Sequence, residues 1–91
     1  MRLIDFNLST IDLHPALRLY WEHDGQQVPV VDLQTKTDQL HLITGTGRPL
    51  TLDQLRTRAQ QVDPQASLFI AQEPPQRLYG YRLVPHQILF G

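Results

Sequence analysis

Cysteine is missing from this chain, so it offers no disulfide, no thiolate metal ligand and no thiol nucleophile. Lysine is nearly missing too, with Lys36 alone, and 8 basic against 9 acidic residues leave a formal net charge of −1. That balance supplies no general attraction to nucleic acid or to an anionic membrane. No apolar run approaches the roughly 18 residues that a membrane-spanning helix needs. The opening MRLIDFNLST carries Asp5 and Asn7 inside its only apolar stretch, which breaks the core of a secretory signal. These absences lead to the expectation of a soluble cytoplasmic protein.

What is present is globular. With 91 residues, 41% hydrophobic and 19% charged, the chain has the makings of one hydrophobic core, and residues 1–91 are read as one small domain. Glutamine occurs 11 times, so much of the surface is solvated by neutral amides rather than by charge.

Alternation marks most of the expected elements as strands. In RLIDFNL, residues 2–8, Arg2, Ile4, Phe6 and Leu8 fall on one side, which predicts a strand with one apolar face. Leu17, Leu19 and Trp21 alternate with Arg18, Tyr20 and Glu22, and the Asp24-Gly25 dipeptide that follows tolerates the positive φ angles of a tight turn. Residues 16–33 therefore read as a hairpin, with Pro29 placing the return strand, 27–33, at a sheet edge or a bulge. A polar turn is expected at 34–38 and further strands at 39–44, 67–72 and 77–84. QILFG at the end offers one more short strand or an apolar tail.

One amphipathic helix is expected over 52–62, where Leu52, Leu55, Ala59 and Val62 occupy about a quarter of the circumference. Thr51 and Gln54 complete a capping box, and Asp63-Pro64 closes the segment. The predicted fold is α+β. A mainly antiparallel sheet of five to seven short strands carries one helix on a face, in the order β-β-β-β-α-β-β.

LITGTGRPLTLDQL, residues 42–55, has the outline of a phosphate cradle. A dinucleotide fingerprint needs a third glycine where Leu50 stands, and a P-loop needs Gly-Lys-Ser/Thr where Gly47-Arg48-Pro49 stands. Asp53 already complements the positive end of the helix dipole. A small-anion or nucleotide site at Gly45, Gly47, Arg48 and Thr51 remains an alternative, with strand exit and helix capping as the simpler account.

RLYGYRLV, residues 77–84, resembles the aromatic strand of the RNA-recognition module at Arg77, Tyr79, Gly80 and Tyr81. Leu78, Arg82 and Val84 depart from that pattern. Only seven residues follow Val84, where the module has a further helix and strand. Read as one strand, the stretch puts Arg77, Tyr79 and Tyr81 on one face. Weak single-stranded nucleic-acid binding through Arg77, Tyr79, Tyr81 and Arg82 is therefore a second alternative, against which the near-neutral charge weighs.

Catalysis has little to start from. Ser9 and Ser67 are the only serines and neither lies in a nucleophile elbow. His14, His23, His41 and His86 are not spaced to present two metal ligands from one helix or strand. No cofactor and no metal site is expected. An edge strand at 27–33 and a short apolar QILFG, in a sheet almost without lysine, are poorly defended against pairing with another chain. The expected function is a non-enzymatic protein-interaction or self-association module, a homodimer or the binder of a protein partner, with Trp21, Tyr79 and Tyr81 as candidate contact residues.

Overall fold

The computed structural model describes residues 1–91. Helix α1 (Leu3–Ser9) leads into strands β1 (Arg18–His23), β2 (Gln26–Lys36) and β3 (Gln39–Thr44). Helix α2 (Leu52–Arg58) is followed by β4 (Ser67–Ile70), β5 (Gln76–Arg77), β6 (Tyr81–Val84) and β7 (Gln87–Phe90). All seven strands form one mixed sheet in the order β5-β4-β3-β2-β1-β7-β6.

The β1–β2 hairpin is the one the sequence predicts, closed where His23 faces Gln26. Asp24 and Gly25 between them have φ of 51° and 75°, the two left-handed residues that match the twist of the paired strands. β2 then continues to Lys36, so the turn expected over 34–38 shrinks to Thr37 and Asp38, with Asp38 at φ 60°.

Several expectations are corrected, and there are two helices rather than one. The segment read as a strand over 2–8 is instead helix α1 (Leu3–Ser9) behind an extended Arg2, because Leu3, Phe6 and Thr10 are buried at helical spacing while Leu8 stays 64% exposed. Its first free amides are used by the chain: Leu3 N–H donates to Ala66 O and Ile4 N–H to Pro64 O, and Arg2 N–H donates to the Asp5 carboxylate. Second, the strand with Pro29 is central, not an edge. Pro29 O accepts from Gly45 N–H, so the side of Pro29 that lacks a donor faces the loop beyond the end of β3. The expected bulge is there, between Val30 and Asp32, and it bends β2 so that Gln26–Pro29 pair with β1 and Val30–Lys36 with β3.

Third, the sheet is mixed. β1 pairs β7 in parallel, and β3 pairs β4 in parallel with α2 as the crossover. α2 is shorter than expected, ending at Arg58, with Ala59 N–H bonded to Leu55 O and Val62 N–H to Ala59 O in a following turn.

The predicted strand 77–84 is broken at Leu78-Tyr79-Gly80, and its halves β5 and β6 are the two opposite edges of the sheet. Four Cα steps join Arg77 to Tyr81, so these ends lie within about 15 Å of each other. A seven-stranded sheet meets that limit only by curling into an almost closed barrel. The start of the chain bridges the gap. The Met1 ammonium donates to Leu78 O at 2.8 Å, Leu68 N–H donates to Met1 O at 2.9 Å, and the Phe6 ring meets Tyr81 and Phe90, each at 5.4 Å. Inside lies one core of 17 buried residues, including Leu19, Trp21, Leu40, Leu42, Leu52, Leu55, Leu68, Ile70 and Ile88.

Candidate functional site

β6 pairs with β7 on one side and with no strand on the other. Its hairpin closes at Val84 facing Gln87, with Pro85 and His86 between, and His86 at φ 67° supplies the left-handed position that follows a proline in a type II turn. In an antiparallel pair closed this way, alternate residues turn their N–H and C=O groups toward the partner. Arg82 and Val84 therefore face β7, and the backbone groups of Tyr81 and Leu83 point out along the open edge.

Side chains at this edge form a shallow cavity of about 380 Å³ lined by Glu22, Tyr79, Gly80, Tyr81, Arg82, Leu89 and Gly91. Tyr79 stands 81% exposed at its rim, because the break in the strand leaves it outside both neighbouring ladders. Tyr81 is half-buried, its ring edge-on to Phe6 and its hydroxyl 2.8 Å from Ser9 Oγ. Arg82 donates a two-pronged hydrogen bond to Glu22, Nε to Oε1 at 2.9 Å and Nη2 to Oε2 at 2.5 Å. That fork holds the Glu22 carboxyl below its ordinary range and raises the Arg82 guanidinium. Leu89, in the strand between β1 and β6, is 1% exposed although it lies outside the main core.

The residues expected to act together are thus partly separated. Tyr79, Tyr81 and Arg82 share the cavity, but Arg77 lies on β5 at the opposite edge and donates to Ser67 Oγ at 3.3 Å. The reason is the break at 78–80, which overturns the single-faced strand. Arg82 is moreover neutralised by Glu22. Trp21, expected as a contact residue, is 6% exposed with its indole stacked on His23, and belongs to the core. Of the two readings of QILFG, a last short strand or an apolar tail, the strand holds: β7 lies between β1 and β6 and contributes the buried residues Ile88, Leu89 and Phe90.

The opening of α2 is filled by the protein itself. Leu52 N–H donates to Leu17 O, Asp53 N–H to Pro15 O, and Gln54 N–H to Thr51 Oγ1, while Thr51 N–H donates to Gln54 Oε1. Gly45 N–H is used by Pro29 O, and Gly47 adopts φ 131° to turn the loop. The first-turn amides that a phosphate cradle would present are therefore occupied. Gly45, Gly47, Arg48 and Thr51 do not form one lined hollow, although Arg48 and Thr51 share one with Arg18.

Sequence reasoning named Tyr79 but missed the exposed Leu83, Leu8 and Ile11. The large apolar residues exposed on the surface are Leu8, Ile11, Tyr79 and Leu83. Leu83 lies in β6 and Tyr79 two residues before it, while Leu8 and Ile11 lie at and just beyond the end of α1, whose Ser9 contacts Tyr81. A helical reading of residues 3–9 would have left Leu8 outside the buried stripe. His14 and His86 also come together around a hollow with Ala16 and Leu17, a meeting that their sequence separation hides.

No group of three or more His, Cys, Asp or Glu side chains gathers to hold a metal ion, and no helix is long and apolar enough to cross a membrane. No protein family, curated protein or solved structure matches the chain.

Proposed function

We propose that this chain is a non-enzymatic self-association module and that its partner is a second copy, joined by antiparallel addition of β6 to β6. The observation that carries this reading is the exposure of two large apolar side chains, Tyr79 and Leu83, along the one sheet edge that is both unpaired and four residues long. A strand added there satisfies the outward backbone groups of Tyr81 and Leu83 and withdraws apolar surface from water.

Register follows from the same groups. Residues with outward backbone groups must face one another, and three two-fold arrangements achieve this. Centring on Arg82 sets Leu83 opposite Tyr81, which is already half-buried against Phe6, and leaves Tyr79 beyond the four-residue strand of the second copy. Centring on Leu83 leaves Tyr79 uncovered. Centring on Tyr81 places Leu83 opposite Tyr79 of the second copy and Arg82 opposite Gly80, so that both exposed side chains gain an apolar neighbour. Leu8 and Ile11 add to the contact, since a four-residue edge alone falls short of the ~800 Å² per partner that stable interfaces bury.

The absence of native cysteine makes the test direct. Tyr79→Cys and Leu83→Cys proteins, mixed and mildly oxidised, are expected to give a covalent heterodimer, because facing residues in a bonded pair have Cα atoms about 5.5 Å apart. The Leu83→Cys protein alone should remain uncrosslinked at low concentration. A monomer by light scattering at high micromolar concentration, with no crosslink in the mixture, would overturn the proposal.

A further inference from the structure

Five of the seven arginines are engaged by other groups of the protein: Arg2 by Asp5 and Gln65, Arg56 by Thr10, Arg58 by Asp32, Arg77 by Ser67 and Arg82 by Glu22. Arg18 and Arg48 are the remaining two, and neither guanidinium has a protein partner. Both line the same concavity, of about 220 Å³, with Ala16, Pro49, Thr51 and Gln54.

The backbone puts them there. Leu19 N–H donates to Leu50 O at 2.9 Å and Arg18 pairs with Thr51 in an isolated antiparallel bridge, so the start of β1 runs beside the loop that enters α2. Two cations around one hollow repel each other, and an anion between them reverses that sign. We propose that this hollow is a binding site for the phosphate group of a small phosphomonoester.

Chemistry selects phosphate over carboxylate. One guanidinium fork saturates the two oxygens of a carboxylate, whereas a phosphate dianion has three terminal oxygens and two charges to share between two forks. The amides of α2 take no part, because they are spent on Leu17, Pro15 and Thr51. The rest of the ligand has a place. An adjoining concavity of about 400 Å³ is lined by Pro15, Ala16, Thr51 and Asp53, and the Asp53 carboxylate favours a hydrogen-bond donor or a cation on the organic part. Asp53 also repels a bare polyanion, so the site suits a single phosphate on a polar carrier.

The experiment is a titration of ¹⁵N-labelled protein, followed by NMR, with inorganic phosphate, O-phosphoethanolamine, acetate and sodium chloride at matched ionic strength. Saturable shifts at Ala16, Arg18, Arg48 and Thr51 are expected with the two phosphates, tighter for the ester. Either Arg18→Gln or Arg48→Gln should weaken binding roughly tenfold, the order expected for loss of one charge-assisted fork. Asp53→Asn should remove the advantage of the ester and keep the phosphate response. Shifts reproduced by sodium chloride, or retained in the double arginine variant, would overturn the site. An acetate response equal to that of phosphate would overturn the phosphate class, and an ester no tighter than phosphate would overturn the role given to the adjoining hollow.

Discussion

The two edges of the sheet are built from one continuous stretch of sequence and are opposite in character. β5 offers two residues, Gln76 and Arg77, entered through Pro74-Pro75, which have no amide to donate. β6 offers four residues, with Leu83 exposed in it and Tyr79 exposed just before it. The first carries the devices by which proteins discourage pairing, a short strand, proline and charge, and the second carries few of them. Three residues, Leu78-Tyr79-Gly80, separate a guarded edge from an open one. An edge is therefore defined by the register in which it is laid down, and an apolar alternation that continues across both edges in sequence carries no information about which is exposed.

Breaking the closure between the edges should have the largest effect. Phe6 is fully buried and touches Tyr81 and Phe90 from α1, so Phe6→Ala is expected to cost about 3–5 kcal/mol in urea denaturation. Hydrogen exchange should then show β6 and β7 losing more protection than β4. Equal loss on both sides would mean that α1 does not favour the β6 half.

The open edge is probed more selectively by Leu83→Pro. The outward amide of Leu83 is absent from the β6–β7 ladder, so the substitution removes an edge donor and leaves the hairpin bonds in place. Self-association measured by sedimentation is expected to weaken at least about tenfold, or ~1.4 kcal/mol. An unchanged association constant in a folded variant would remove β6 from the contact.

On the guarded side, α2 is the crossover between β3 and β4. Thr51→Ala deletes the side chain that accepts from Gln54 N–H, at an expected cost of about 1 kcal/mol. Exchange should rise first in α2 and β4, and a larger effect at β6 would contradict the division of the molecule into two halves.

The smallest effect is one of pH. His41, in β3, is 1% exposed, stacked on Phe69 and 2.7 Å from Gln39 Oε1 through Nε2. Burial, with a smaller contribution from Lys36, lowers its pKa from 6.5. The unfolded chain therefore binds the proton more readily than the native one. Stability is full above pH 6.5 and declines as pH falls from there toward the native pKa, levelling off below it. His41→Gln should flatten that part of the stability profile, and an unchanged slope would assign it to other groups.

Local chemistry was legible where one short motif decides the geometry. Asp24-Gly25 placed the turn of the first hairpin to the residue, though β2 runs three residues further than expected, and Thr51 with Gln54 placed the start of α2. It failed where two periods fit equally well. Residues 2–8 satisfy a strand by alternation and a helix by Leu3 and Phe6, and the decision was made by Ala66 and Pro64, which receive the helix's free amides from far along the chain. Of the two readings of Pro29 the bulge holds and the edge does not, because β3 ends beside its missing donor and the edge reading ignored that. The contact residues suffered in the same way. Exposure of Tyr79 and burial of Trp21 follow from strand order, and strand order here depends on parallel pairings between distant segments.

One of those pairings sets a limit on biosynthesis. β1 lies in the middle of the sheet, and its parallel partner is the last strand, with Arg18 facing Gln87 and Trp21 facing Phe90. A nascent chain can close the Asp24-Gly25 hairpin early, but the seam beside it stays open until residues 87–90 have been made and released from the exit tunnel. During that interval Leu19 and Trp21 have no neighbour on one side, and the edge they border is longer than the one the finished protein leaves bare. Such non-local pairing is slow and aggregation-prone. The interval in which this chain most needs protection is therefore the one between closure of the first hairpin and the arrival of residues 87–90.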